Sequence, residues 1–354
     1  MPTPDPRRRI LVLSTGLSPQ VVTETLWSLA IARTPSWTPD EVVLITTKEG
    51  ARRAEQSLLA QGRLAALGAD YRRGDLAALA GALRIEVIAD ADRPGFEDVD
   101  SDAAHLAAAD RTMAIVRDLT AEGDRRIHAS IAGGRKSQGA LLALSMSLFA
   151  RPGDRLSHVI VDDAFAGHPD FFYPPPVPTR LTGRDGAPLD TAGARVRLAE
   201  IPFPRLRARL PREIFEADHF AEAVLDAQRA LDPLTLAVDP LAGGAWLNGQ
   251  ALRLTPVMFA WLAALAWDRR GGGSGLLRRD PDRAAIGRWR SAGAPVPRDL
   301  GPEHLEEWAS RLNKLARHSN PGLIDVKLVA SMGRRPNTRY RLTVAPENID
   351  WLGA

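Results

Sequence analysis

Cysteine is absent from the 354 residues, which excludes disulfides, zinc–thiolate sites and thiol catalysis. No uninterrupted apolar run approaches the roughly 20 residues that span a bilayer. The Pro- and Arg-rich stretch 1–9 leads directly into an apolar β run, without a signal-peptide cleavage site. The expected location is therefore the cytoplasm, with no membrane partner. A Walker A loop is also missing. The nearest approach, Ser130 to Ser137, has Arg135 before Lys136 and Ser130 where the motif requires glycine.

What is present is an ordinary globular composition, 45% hydrophobic and 25% charged, in a chain long enough for two cores. The net charge of +3 is unevenly placed. Residues 251–354 hold 17 Lys/Arg against 10 Asp/Glu, and the first 250 hold 29 against 33. A basic C-terminal part is where a polyanion would be met; general Arg enrichment from codon usage gives the same count.

The chain is organised around Ile127-His128-Ala129-Ser130-Ile131-Ala132-Gly133-Gly134-Arg135-Lys136-Ser137 and the apolar run from Gly139 to Phe149. A β run enters two glycines, then two cations, then a helix-forming segment. Glycine lets backbone amides approach a ligand closely. The first turn of the helix offers unpaired N–H groups and a positive dipole end. Such a place suits an anion, phosphate above all; a glycine turn with two solvated cations is the plainer reading.

A second loop of similar character follows the first β run, Ile10–Leu13: Ser14-Thr15-Gly16-Leu17-Ser18-Pro19-Gln20. Ser18 suits the N-cap of a helix over about 20–33, and Pro19 its first position. Further β runs are read at 42–46, 85–88 and 157–161. Helices are read from Thr47 to about Ala66 and from Ser101 to Ala121. Five β runs alternating with helices predict an α/β fold, a Rossmann-like doubly wound parallel sheet with right-handed crossovers. In the order 3-2-1-4-5 the loops after strands 1 and 4 converge on one switch-point crevice, although about 115 residues separate them. Neither loop is GxGxxG, so no dinucleotide cofactor is expected. Segment 162–178, with His168-Pro169-Asp170-Phe171-Phe172-Tyr173, reads as a lid or as a rigid edge loop around a buried aromatic cluster.

The expected domains are 1–210, a connector helix at 211–232, and a smaller domain at 233–354. In the last, strands at 236–239, 245–249 and 252–254, helices at 255–267, 283–291 and 303–318, and a hairpin over 324–344 predict a winged helix-turn-helix. Leu247-Asn248-Gly249 leading to Leu254-Thr255-Pro256, Ser310 to Leu315, and Thr338 to Leu342 are similar to the effector domain of response regulators. Arg311, Lys314 and Arg317 on the third helix and Arg334, Arg335 and Arg339 on the wing are placed to meet DNA phosphates or base edges. Folds of this kind also serve purely as dimerising or packing modules.

The paired loops, Ser14 to Pro19 and Gly133 to Lys136, resemble those of the CARF domains of type III CRISPR systems. More narrowly, they resemble the CARF ring nucleases that carry a C-terminal winged helix. The resemblance covers about residues 8–210. It implies a homodimer whose facing crevices hold one cyclic oligoadenylate, most often cyclic tetra-adenylate. It also implies cleavage without metal or cofactor, by attack of a ribose 2′-hydroxyl on the adjacent phosphate. Carried over residue by residue, Ser18 holds the reacting ribose and phosphate, and Lys136 stabilises the developing charge. Ser14, Thr15, Gly16, Leu17, Pro19, Gln20, Thr47, Gly133, Gly134, Arg135 and Ser137 form the rest of the ligand site. The alternative is a non-cleaving cyclic oligoadenylate sensor that regulates transcription through its winged helix.

Overall fold

A computed structural model describes residues 7–210, 212–277, 305–319, 327–332 and 338–352. The chain forms two compact units, one of Met1–Leu210 with Phe215–Ala223, the other of Pro211–Ile214 with Val224–Ala354.

The first unit is built on β1 (Arg8–Ser14), β2 (Glu41–Thr46), β3 (Leu83–Val87), β4 (Arg125–Ser130), β5 (Arg155–Val161) and β8 (Val196–Glu200). The spatial order is β3-β2-β1-β4-β5-β8. The first five run parallel, and β8 joins the β5 edge antiparallel. This is a mainly parallel, Rossmann-like sheet in the expected order, with one added edge strand. Ile10 to Leu13 and Val42 to Ile45 are all buried, the continuous apolar pattern that strands covered on both faces produce.

The helices of this unit are α1 (Gln20–Trp27), α2 (Lys48–Ala54), α3 (Arg63–Asp70), α4 (Gly74–Ala78), α5 (Asp102–Ala121) and α6 (Lys136–Phe149). Two predicted helices are broken. The first ends at Trp27 and continues as a wider π-type turn over Ser28–Ala32. The second gives way to a π-type turn at Glu55–Ala60, and Gly62, with φ +68°, breaks the chain direction before α3. Glycine adopts that left-handed conformation at little cost. By contrast, α5 starts where expected, with the Ser101 side chain accepting from the Ala104 N–H. Beyond β5, Phe165 and Phe171 are buried with ring centroids 4.7 Å apart, and β6 (Arg180–Thr182) and β7 (Pro188–Asp190) form a small hairpin. The 162–178 segment is thus packed by its own aromatics.

The predicted continuous connector helix at 211–232 is instead a short 3₁₀ turn at Arg212–Phe215 followed by α7, Phe220–Leu231.

In the second unit, β9 (Leu236–Asp239), β10 (Gly244–Leu247) and β11 (Gln250–Ala251) form a meander, and β15 (Ile349–Trp351) pairs parallel with β9. Asn248 (φ +49°) and Gly249 (φ +75°) make the tight turn between β10 and β11, as Asn-Gly favours. Helix α8 (Pro256–Arg270) starts at Thr255, which accepts from the Met258 N–H, and is buried from Met258 to Ala266. Around it lie α9 (Leu305–Ser319) and a sheet of β12 (Leu276–Leu277), β14 (Arg339–Leu342) and β13 (Val329–Met332). Of the predicted strand over 324–329, residues 324–326 lie outside the described residues, and pairing with β14 begins at Val329. The predicted helix over 283–291, and Arg334 and Arg335, lie outside the described residues.

Candidate functional site

Strands β1 and β4 are neighbours, with Leu13 opposite Ser130, so the loops leaving their carboxyl ends must meet. The Ser14 hydroxyl donates to the Gly133 carbonyl at 3.4 Å. A Cβ on Gly16 would stand 3.4 Å from the Gly134 Cα, and one on Gly133 would stand 2.8 Å from the Ser14 carbonyl oxygen and 2.9 Å from Val21 Cγ2. Only glycine fits at position 133. Gly134, at φ +79°, is in the left-handed region that disfavours side chains.

A crevice of about 480 Å³ opens here, lined by Gly16, Leu17, Ser18, Gln20, Gly133, Gly134 and Arg135 from the expected set. Its wall also includes Glu24, Asp98, Gln138 and His158, which motif reasoning did not single out. On the other side of the Gly133–Gly134 turn is a more open hollow of about 700 Å³, lined by Gly133 to Lys136, by Gly139, Ala140 and Ala143 of α6, and by His158. Ser18 faces the first and Lys136 the second; the glycine turn is common to both.

Helix α1 begins at Gln20 with Pro19 as the N-cap residue and no side-chain cap. The expected capping by Ser18 is therefore absent, because the helix starts one residue later than the motif implies. Ser18 is exposed, and its hydroxyl has no protein partner among the described residues. Lys136, the first residue of α6, is likewise exposed and makes no ion pair among them. Its ammonium and the first-turn amides of α6 share one helix end, where an anion is favoured.

Arg135 is differently placed. Its guanidinium forks onto Asp98, with Nε donating to Oδ1 at 3.0 Å and Nη2 to Oδ2 at 2.5 Å. That pairing holds the Asp98 carboxyl below its ordinary range. A phosphate would have to compete with Asp98 for it. The Arg135 N–H donates to Gln138 Oε1 at 2.8 Å, which fixes the start of α6.

Five of the expected residues line neither hollow: Ser14, Thr15, Pro19, Thr47 and Ser137. Thr15 is fully buried, its N–H donating to the Ile45 carbonyl and its own carbonyl accepting from the Thr46 hydroxyl at 2.8 Å. Thr47 is buried at the N-cap of α2, accepting from the Gly50 N–H at 3.2 Å. The Thr15 backbone thus ties the first loop to β2, and the Thr47 hydroxyl caps α2. A further tie comes from Arg53, whose Nη1 donates to the Leu17 carbonyl at 3.4 Å.

The inner wall of the crevice is polar and underpaired. Gln20 Nε2 donates to the His168 carbonyl at 3.3 Å, but Gln20 Oε1 is buried without a partner, as are Gln138 Nε2 and His158 Nδ1. Leaving such a group unpaired typically costs about 1–3 kcal/mol. Glu24, 3% exposed, has its carboxyl pushed up to about 7 by desolvation. The available signal for Glu24 was its spacing: four residues after Gln20, it falls on the same face of α1.

In the second unit, α9 buries Ala309, Leu312 and Ala316 and leaves Arg311, Lys314 and Arg317 exposed. Arg311 pairs with Glu307 at 2.5 Å and lies over the Trp308 ring. Arg339 is partly buried and donates to the Gly275 carbonyl at 2.8 Å, so it braces the small sheet. Among the described residues no group of three or more His, Asp or Glu is placed to hold a metal ion, and no helix is long and apolar enough to cross a membrane.

No curated protein matches the chain. The family model described as CRISPR-associated protein NE0113 matches residues 18–233, more than half of the sequence and nearly all of the unit that carries the crevice. The chain belongs to this family of CRISPR-associated proteins.

Proposed function

We propose that the protein binds a cyclic oligoadenylate, cyclic tetra-adenylate foremost, and cleaves it, ending the signal that such rings carry in type III CRISPR defence. The first unit is read as a CARF domain acting as a homodimer. The observation that carries the reading is an exposed Ser18 hydroxyl and an exposed Lys136 ammonium, both without a partner among the described residues, lining two hollows that share one glycine turn. A crevice of about 480 Å³ is the size that takes one small ligand. A four-nucleotide ring is larger and two-fold symmetric, which fits two copies facing each other.

In the proposed reaction a ribose 2′-oxygen attacks the neighbouring phosphorus in line. The P–O5′ bond breaks, the 2′-hydroxyl proton ends on the departing 5′-oxygen, and a 2′,3′-cyclic phosphate remains. Ser18 would hold the reacting ribose and phosphate by a hydrogen bond. Lys136, aided by the α6 amides, would offset the charge that grows on the phosphoryl oxygens. Incubating the protein with labelled cyclic tetra-adenylate in EDTA tests this. A linear product ending in 2′,3′-cyclic phosphate is expected; tight binding with the ring intact after hours rejects cleavage.

That outcome would leave a second reading, a ring-sensing regulator whose second unit is a winged helix that binds DNA. The outward Arg311, Lys314 and Arg317 favour it. Duplex binding should then weaken with salt, and Lys314→Ala should reduce the log–log salt slope by about 0.9. Absence of binding to any duplex at about 50 mM salt would leave the unit a dimerising or packing module.

A further inference from the structure

Glu24 is unexplained by phosphate binding, because a carboxyl beside a phosphate site is unhelpful if ionised. It lies on α1 one turn beyond Gln20 and lines the crevice with Ser18, Gln138 and His158. Its carboxyl makes no hydrogen bond or ion pair among the described residues. The two glutamines that line the same crevice each leave one side-chain atom unpaired among the described residues, an acceptor on Gln20 and a donor on Gln138. This part of the wall is therefore built for a flat group that both donates and accepts.

We propose that Glu24 is the base-reading residue of the crevice, recognising adenine through a neutral carboxyl. Its O–H donates to a ring nitrogen, and its C=O accepts from the exocyclic amine. The inference rests on the reading of the crevice as an oligoadenylate site. Adenine presents just this pair, the N6 amine beside an acceptor nitrogen. An ionised carboxylate would keep the contact to the amine but turn a lone pair toward the ring nitrogen. Guanine reverses the preference: its N7 and O6 are both acceptors, and its N1–H and N2–H are both donors, which suit a carboxylate.

The surroundings allow the neutral form. The titratable and charged groups on the elements packed against α1 are Arg155 and His158 on β5, Arg63 and Asp70 on α3, and Asp162, Asp163, His168, Asp170 and Tyr173 in the segment after β5. Across the crevice are Asp98 and Arg135, paired with each other. The His168 ring is fixed, with Nδ1 accepting from the Asp170 N–H and Nε2 donating to the Thr182 carbonyl. None of these charges contributes to the raised affinity of Glu24 for its proton, which burial alone produces.

The test measures binding of a cyclic tetra-adenylate carrying 2′-fluoro groups, which removes the nucleophile, to the full chain. Wild-type protein, Glu24→Gln and Glu24→Ala are compared by calorimetry at about pH 6 and about pH 8.5, either side of the titration. Wild-type affinity should fall about tenfold or more with rising pH, the range expected for loss of a paired base contact. Glu24→Gln, which keeps a donor and an acceptor at every pH, should bind at both pH values as wild type does at the lower one. Glu24→Ala should be weak at both, with melting curves confirming that each variant is folded. A flat wild-type profile, or a folded Glu24→Gln variant as weak as Glu24→Ala, overturns the assignment. Failure of wild-type protein to bind the ring at either pH overturns the oligoadenylate reading itself, so the two failures are distinct.

Discussion

The two hollows flanking Gly133–Gly134 share that turn, Arg135 and His158, and differ in the rest of their walls. One is walled by Ser18, Gln20, Glu24 and Gln138, side chains that donate and accept. The other is walled by glycine and alanine of α6, with Ile131, Ala199 and Ile201, and carries Lys136 beside the Asp98-paired Arg135. On the proposed reading, the polar, underpaired wall is the one that would discriminate between bases. A wall of small residues beside a cation lets a phosphate, or a second copy of the chain, come close without regard to sequence. A backbone turn pressed between them, where the Gly133 position admits no side chain, keeps the two tasks at a constant separation.

The largest expected effect falls on the charged side. Lys136→Ala should reduce cleavage by roughly 10²–10³, as loss of one transition-state donor typically does, and weaken ring binding by less. Equal losses in rate and binding would make Lys136 a ground-state contact and blur the contrast between the hollows.

On the polar side, burial of Glu24 links stability to pH. Its carboxyl titrates near 7 in the folded chain against 4.5 ordinarily, so the folded state holds the proton over that window while the unfolded state has lost it. Stability from this group is complete below the lower value and falls as pH rises to the upper one, by about 3 kcal/mol at most. Denaturant titrations of wild type and Glu24→Gln across this range should differ by that slope. Parallel curves would mean that water reaches the carboxyl freely.

Ser18→Ala should lower cleavage by roughly 10- to 100-fold, the range for a hydrogen bond to a charged group, with an unchanged melting temperature because the hydroxyl caps no helix. Combining it with Lys136→Ala shows whether the hollows serve one phosphate. Losses that fail to add would mark a single unit, and additive losses two independent contacts.

Smallest is Thr47→Ala. It should destabilise the fold by about 1 kcal/mol as a lost cap and leave ring affinity unchanged. A binding defect in a stable variant would bring Thr47 back to the ligand.

The sheet was legible because β1 and β2 each hold an unbroken apolar run, Ile10 to Leu13 and Val42 to Ile45, as buried parallel strands do, and because glycines follow β1 and β4 at the switch point. The polar, Pro- and Arg-rich stretch 180–210 signalled extra strands or a return to the sheet, and β6, β7 and β8 are those strands, but nothing in Val196 to Glu200 marks the antiparallel pairing with β5. The break at Gly62 was not legible either, since the helical pattern of 48–66 gives no warning of a left-handed residue. Within the site, glycines and cations stood out by type. Glu24 did not, because one acid in a short helix ordinarily marks its wet face, whereas α1 is buried at Gln20 and again from Val22 to Leu26. Thr47 had the right chemistry and neighbourhood, but local capping geometry claimed its hydroxyl.

The ties on the first loop bear on how related chains can differ. Thr15 is bound to β2 through its own N–H, Gly16 lies against Gly134, Arg53 reaches the Leu17 carbonyl, and Gln20 reaches the His168 carbonyl. A residue gained or lost between positions 15 and 20 would shift every later contact by about 3.8 Å. Insertions and deletions should therefore be excluded from this loop across the family. Length variation should gather instead in the exposed β6–β7 turn.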